Sequence, residues 1–233
     1  MTPPYVIRYI LFETYNMKTA VQIDFDGTVT EEDVSFLLLD TFAGGDWRKY
    51  LDEYSSGDIS VGKFNKIVFG MIKADEKTLT DFVLTSPRVK IRPGFKEMIA
   101  YCVKIGHRIM IVSNGLKFYI QALLKNLGVN GLEIRAAENI FSPRGMKVRY
   151  LGPDGQEVDA GFKEVYTDML CQEGYQVIYV GNGTSDIHPS RKAQYVCATA
   201  DLLERCRQEK LKCYPFNDFF DVIKAMETMG LGK

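Results

Sequence analysis

Three short apolar runs, each breaking into a polar, glycine-containing cluster, constrain this chain more than any other feature. The first, KTAVQIDFD (18–26), places Asp24 and Asp26 at its end and breaks at Gly27. The second, HRIMIVS (107–113), leads into Asn114-Gly115, and the third, QVIYVG (176–181), into GNGTSD (181–186). Apolar runs of this length bounded by turn residues read as buried strands, and the segments between them have helical spacing. Buried strands alternating with helices specify a parallel sheet covered on both faces, a doubly wound α/β fold. In such a sheet ligands bind beyond the carboxyl ends of the strands, where all three clusters fall. One polar cluster after a strand is ordinarily a turn; three on one sheet edge point to a site.

Between the first two runs lies a stretch without strand character. EEDVSFLLLDTFAGG puts Val34, Leu37, Leu38 and Phe42 on one helical stripe. DWRKYLDEYSSGD, SVGKFNKIVFGMI (Ser60 as N-cap) and DEKTLTDFVLTS predict three more helices, and Pro87 closes the block. A segment of about sixty residues is too long for a plain connection. The expected organisation is a core over 17–30 and 88–233, an all-helical cap inserted over 31–87, and an N-terminal extension over 1–16. Three readings are open for the extension: a mis-assigned start ahead of Met17, an extra strand, or an arm packing on a partner. A homodimer is open with the last. Downstream, PGFKEMIAYCVKIG, LKFYIQALLKNLG, FKEVYTDMLCQEG, DLLERCRQEKL and NDFFDVIKAME predict helices. LEIRAAENIF and AQYVCAT read as extended, and KVRYLGPDGQEVDAG as a hairpin turning at Asp154-Gly155.

Charge and cysteine usage narrow the chemistry. With 29 Lys+Arg against 30 Asp+Glu, there is no basic excess for nucleic acid or an anionic membrane surface. No apolar stretch approaches the ~20 residues of a membrane span. Cys102, Cys171, Cys197, Cys206 and Cys213 form no C-x-x-C pair, and His107 and His188 are far apart in sequence. Reduced thiols in a cytoplasmic protein are expected, and a zinc site is not. What remains is oxygen chemistry and lysine. A carboxylate at the first strand end can attack phosphorus, and a second can act as general acid and base. Two acids beside a phosphate dianion call for a hard cation such as Mg²⁺ with oxygen ligands, to which Asn182 and Asp186 add oxygens. Ser113 and Asn114 are placed to hydrogen-bond a phosphate, and Lys163, opening the helix before the third run, to balance its charge.

Asp24-x-Asp26-Gly27-Thr28, Ser113 after a strand, Lys163, and Gly181-Asn182-Gly183-Thr184-Ser185-Asp186 occur in that order over residues 18–200. Together they resemble the four signature motifs of the haloacid dehalogenase superfamily. That resemblance implies a Rossmann-like core with Asp24 as nucleophile and Asp26 as general acid/base. It implies Mg²⁺ held by Asp24, the Asp26 carbonyl and Asn182, with Asp186 orienting its water. Ser113 would bind phosphoryl oxygens, and Lys163 both nucleophile and phosphate. The position of the insert resembles the phosphoserine-phosphatase-like branch. VSNGLKFYIQALLKNLGV and the Lys163–Asn182 spacing are most similar to the methionine-salvage phosphatases, which act on a phosphorylated diketo or enol methylthio-pentyl compound.

Asp33 falls where those relatives carry an acid facing substrate; it equally suits a helix N-terminus. GKFNKIVFGMIK has no arginine for a substrate carboxylate, which disfavours phosphoserine unless Lys66 or Lys73 substitutes. Trp47, Tyr50, Tyr54, Phe64 and Phe69 are expected in the core of the insert, one or two of them facing an apolar substrate tail. Asn182 stands where the family usually has aspartate. It implies weaker metal binding, an altered metal preference, or a protein that binds a phosphorylated ligand without turnover. With Asp24, Asp26, Lys163 and Asp186 present, the expectation is the first: a Mg²⁺-dependent phosphomonoester hydrolase of a small phosphorylated metabolite, working through an aspartyl-phosphate.

Overall fold

The computed structural model describes residues 18–232; the readings of residues 1–16 lie outside them. In chain order, β1 (Thr19–Ile23) is followed by α1 (Val34–Phe42), α2 (Arg48–Ser56), α3 (Val61–Gly70), α4 (Glu76–Thr85) and α5 (Phe95–Lys104). Then come β2 (Arg108–Leu116), α6 (Lys117–Asn126), β3 (Glu133–Ile140), β4 (Lys147–Arg149), α7 (Phe162–Gln172) and β5 (Gln176–Gly181). The chain finishes with α8 (Ile187–Lys192), β6 (Tyr195–Ala198), α9 (Ala200–Gln208), β7 (Tyr214–Pro215) and α10 (Phe219–Thr228). Among the described residues the sheet has seven strands in the order β4-β3-β2-β1-β5-β6-β7. All neighbours are parallel except the β3–β4 pair. The chain runs outward from β1 to β4 and returns to the other side of β1 at β5. The crevice between β1 and β5 is therefore the switch point, where a doubly wound sheet receives ligands.

The strands form where the sequence is apolar and β-branched: every residue of β1 is buried. Gln22 is the exception in polarity, and its amide is fully engaged. Its Nε2 donates to the Lys163 carbonyl (2.9 Å) and its Oε1 accepts from the Thr167 hydroxyl (2.8 Å), tying β1 to the first turns of α7. A buried amide is tolerated only when paired in this way. The predicted helix starts carry side-chain caps: Asp33 on Phe36 N–H, Ser60 on Lys63 N–H and Asp75 on Thr78 N–H.

The helical block leaves and rejoins the sheet at adjacent points. Thr30 and Ile91 pair in an antiparallel bridge. Glu31 N–H donates to the Lys90 carbonyl (2.9 Å) and Arg92 N–H to that of Val29 (2.8 Å). Apolar residues of the block, among them Leu38, Phe69 and Leu79, share one continuous core with Ile23, Ile111 and Ile178 of the sheet.

Two local expectations are adjusted, and one short strand was not expected. β2 runs past Ser113 to Leu116, with its register against β3 shifting between Val112 and Leu116. Segment 147–161 turns at Asp154-Gly155 as a short hairpin, with the Leu151–Glu157 bridge flanked by Gly152 N–H to the Gln156 carbonyl (2.8 Å) and Val158 N–H to that of Tyr150 (2.9 Å), but Lys147–Arg149 leave it to pair with the otherwise open edge of β3. β7, two residues long and ending at Pro215, carried too little pattern to be read; proline is tolerated there because the strand is an edge.

Candidate active site

Asp24 directly follows β1, and its N–H donates to the Val180 carbonyl of β5 (2.9 Å), which fixes it at the switch point. The chain then turns sharply: the Phe25 carbonyl accepts from the N–H groups of Thr28, Val29 and Thr30. Gly27 makes the turn at φ 73°, and a Cβ there would stand 2.2 Å from Asn182 Nδ2. Glycine thus lets the first and third clusters meet, and Thr28 Oγ1 completes the junction by donating to Asn182 Oδ1 (3.0 Å). From outside, the Arg92 guanidinium holds the turn through the carbonyls of Gly27 and Thr28 (2.8 and 2.9 Å).

Lys163 is only 4% exposed. Its Nζ lies 2.8 Å from Asp24 Oδ1, 2.6 Å from Asp186 Oδ1 and 3.2 Å from Ser185 Oγ. Burial alone would lower the pKa of this amine, but Asp186 and Asp24 outweigh it and hold the charged form. Burial, followed by the charge of Asp186, pushes Asp24 up to about 7. Asp186 is fully buried and fully engaged. Its Oδ1 accepts from Lys163 and from the Tyr179 hydroxyl, and its Oδ2 from the N–H groups of Asn182 (2.9 Å) and Gly183 (2.8 Å). Through these contacts its oxygens anchor the lysine and the 182–183 turn.

Asp26 is held by other groups. Val34 N–H, at the first turn of α1, donates to Oδ1 (3.2 Å), and the Tyr119 hydroxyl donates to Oδ2. The Ser35 hydroxyl lies 2.8 Å from that of Tyr119 and 3.4 Å from Oδ2. Burial, then the nearby charge of Asp33, pushes Asp26 up to about 8. A carboxyl that keeps its proton near neutral pH can donate one. Gly115 makes this packing possible, since a Cβ there would fall 1.9 Å from the Tyr119 oxygen and 2.2 Å from Asp26 Oδ2.

Ser113 Oγ accepts from Gly115 N–H (2.9 Å), which leaves its own proton free to donate. Asn114 borders the cavity, and its backbone carbonyl accepts from Asn65 Nδ2 (3.2 Å) and the Tyr150 hydroxyl. Asp33, half-buried, both caps α1 through Phe36 N–H (2.9 Å) and borders the cavity. Burial pushes it up to about 6.

These groups surround a cavity of about 430 Å³. Its floor is Asp24, Asp26, Ser113, Lys163 and Asn182; its roof is Phe36, Leu51, Tyr54, Val61 and Phe64, with Asn65 as the polar member. Of the aromatics expected in the insert, Tyr54 and Phe64, stacked at 5.5 Å, border the cavity beside Phe36, whereas Trp47 is buried and donates to Asp40 (3.0 Å). Lys66 points elsewhere, pairing with Glu157 and Asp159 (both 2.6 Å). A larger groove of about 820 Å³ near Ile140–Val148 carries cations but no carboxylate.

A divalent cation fits this donor set. Among the described residues no three His, Cys, Asp or Glu side chains converge as a metal trio. The groups that do meet, the Asp24 carboxylate, the Asn182 amide oxygen and the backbone of the Asp24–Gly27 turn, are all oxygen donors, as a hard ion requires. Four buried or half-buried acids, Asp24, Asp26, Asp33 and Asp186, crowd around the single ammonium of Lys163. Added positive charge is what the site lacks.

Tyr119, Tyr179 and Ser35 were not singled out from sequence, and Thr28 only as a member of the first motif. Tyrosines at helix and strand spacing read as core, and no local signal marks a hydroxyl that holds a distant carboxylate. Tyr119→Phe keeps the ring packing against Phe25 and Phe118 but removes the donor to Asp26. It is expected to lower kcat roughly ten- to a hundredfold with little change in KM; a KM effect alone would assign Tyr119 to packing.

A switch-point cavity with a doubly wound sheet beneath it, paired aspartates after the first strand and a buried lysine opposite them are the features of an α/β hydrolase. The chain belongs to the haloacid dehalogenase-like hydrolase family, whose model matches residues 21–189. The 2-hydroxy-3-keto-5-methylthiopentenyl-1-phosphate phosphatase of Geobacillus kaustophilus (strain HTA426) is 29% identical over 211 residues, which cover 88% of this chain and 94% of that protein. The bifunctional enzyme MtnB/MtnX of Bacillus licheniformis is 29% identical over 214 residues, 90% of this chain and 49% of that one. Among solved structures, a substrate-bound phosphoserine phosphatase superposes with a TM-score of 0.67 at 17% identity, covering 89% of this chain and 98% of the other. A phospho-aspartyl intermediate analogue of phosphoserine phosphatase gives 0.65 at 19% identity, with 90% and 99% covered. These two likenesses establish the shared fold. The superfamily resemblance and the doubly wound fold expected from the sequence are borne out.

Proposed function

We propose that this protein is a Mg²⁺-dependent phosphomonoester hydrolase whose substrate is a small phosphorylated metabolite with an apolar tail. The observation that carries the reading is the Asp24–Lys163–Asp186 chain beneath a cavity that also holds Asp26 and Ser113. Lys163 orients Asp24 through Oδ1. Asp24 attacks phosphorus, the P–O ester bond breaks, and Asp26 passes its proton to the departing alkoxide. Water then attacks the aspartyl-phosphate, Asp26 takes a proton from it, and inorganic phosphate and the Asp24 carboxylate are regenerated. Ser113 donates to the phosphoryl oxygens. Asp24, the Asp26 carbonyl and Asn182 would hold Mg²⁺, which supplies charge stabilisation of the phosphoryl group when bound. The block 31–87 acts as the cap that keeps bulk water from the site.

The substrate class follows from the roof and from the relatives. Phe36, Leu51, Val61 and Phe64 offer apolar surface, and among the described residues Lys163 is the only cation on the wall of this cavity. It is already shared between Asp24 and Asp186, so the carboxylate of phosphoserine has no partner. A methylthiopentenyl phosphate, the substrate class in the names of the relatives, buries its tail against that roof. In a phosphate-release panel with and without Mg²⁺, a methylthioalkyl phosphate should exceed phosphoserine in kcat/KM by about tenfold or more. Preference for phosphoserine would overturn the substrate assignment.

Asn182 favours one second reading, a protein that binds a phosphorylated ligand without turning it over. It is separated by the charge of that side chain. Asn182→Asp is expected to lower the Mg²⁺ concentration needed for half-maximal activity about tenfold, because ligand charge count sets the affinity for hard cations. Activity that appears only in the variant would favour the binding protein.

A further inference from the structure

Beside the catalytic cavity lies a second one of about 390 Å³. Tyr54, Asn114, Lys163 and Ser185 form a wall common to both, so a group released at Lys163 faces either. Their linings differ in kind. Phe36, Leu51 and Phe64 border only the first cavity, whereas Ser60, His188 and Arg205 border only the second.

Their charges differ more. The catalytic cavity sets Asp24, Asp26, Asp33 and Asp201 against Lys163. The second sets one acid, Glu164, against Lys163 and Arg205. Arg205 is exposed at the mouth and makes no ion pair among the described residues. Of the acids on or beside its helix, Glu209 pairs with Arg191 (2.7 Å) while staying within the field of Arg205, Glu204 pairs with Arg207 (3.6 Å), and Asp201 borders the catalytic cavity. Burial raises the pKa of the Tyr54 phenol while Lys163 and Arg205 both act to lower it, so this one side chain is within the field of both cations. A dianion formed among four acids is driven toward the side where cations outnumber acids.

We propose that the second cavity is an exit subsite for inorganic phosphate, with Arg205 as its cation. The inference rests on the phosphatase reading for its occupant, and on the cavity and the unpaired arginine for its location. The apolar product leaves by way of the roof, while phosphate moves from Lys163 toward Arg205.

Inorganic phosphate should therefore inhibit in two ways. Its competitive component comes from the phosphoryl site, and a noncompetitive one from the second cavity, where an occupied exit slows release. In Arg205→Gln the noncompetitive constant is expected to weaken roughly tenfold, the loss of one charge-assisted hydrogen-bonding partner. Lys224→Gln, on another helix, bordering neither cavity and in no ion pair among the described residues, controls for net charge and should leave that constant as in the wild type. Purely competitive inhibition in the wild type, or a noncompetitive component that survives in Arg205→Gln, overturns the proposal. A second measurement needs no turnover: the Arg205 side-chain N–H resonance, assigned by its absence in Arg205→Gln, is followed while inorganic phosphate is added without ester. A saturable shift with no ester hydrolysed would keep the anion subsite and remove the phosphatase reading. Hydrolysis with an unmoved resonance would keep the phosphatase and remove the subsite.

Discussion

Replacing Lys163 with methionine is expected to abolish turnover and to lower stability by about 3–5 kcal/mol, because it strands the carboxylates of Asp24 and Asp186 in the interior without a countercharge. Methionine preserves most of the apolar stem, so the loss reports charge more than packing. Adding Asp186→Asn to this variant should recover part of the stability and none of the activity, since the partner of Asp24 is still missing. Denaturant midpoints at unchanged slope, alongside ester hydrolysis, measure both quantities. A methionine variant as stable as the wild type would show that Lys163 is not the counterion of this cluster.

Asp24→Asn should behave in the opposite way: turnover falls about 10⁴-fold or more, while the metal-free protein becomes more stable. The sign comes from burial, which with the charge of Asp186 raises the pKa of Asp24 to about 7. A carboxyl whose folded pKa is raised contributes stability that is complete below its unfolded value and is lost as pH climbs to the folded value. The wild type thus loses stability from this group between about pH 4 and pH 7, and the asparagine variant does not. In EDTA the two melting temperatures should converge at the acid end of that window and separate above it, the variant melting higher. A variant that melts lower at pH 8 would mean that attraction to Lys163 exceeds the penalty of burial. Two substitutions across one ion pair then both silence the enzyme while moving stability in opposite directions, which global unfolding cannot imitate.

Much of this site could be read from the chain because its groups follow buried strands. Asp24, Asp26, Ser113, Lys163 and Asn182 all border one cavity, and each stands where an apolar run ends or a helix begins. The hydroxyls that hold them could not be read the same way. Tyr119 is one apolar position among several in α6, and Tyr179 one in β5; only the fold brings them to Asp26 and Asp186. The same reason hides the contacts of Asp186, since the 3-10 turn at Thr184–Asp186 folds its carboxylate back onto the N–H groups of Asn182 and Gly183. At the sheet edges the reading failed for want of length. Three residues of β4 and two of β7 are too short for period-two alternation, and pairing is decided by which neighbouring edge is open.

The bridge between Thr30 and Ile91 also bears on how such a protein changes over generations. Because the two crossing strands are pinned together there, what loops out beyond them can lengthen, shorten or be exchanged at little entropic penalty. The distance between its anchors stays the same. On the proposed reading, the residues that break the phosphate bond lie on the sheet side of that clasp, and most of the surface that chooses what to break lies on the other. Mutation can therefore rewrite the clientele without touching the blade, and a family built this way is expected to diversify by remodelling its attachment rather than its chemistry.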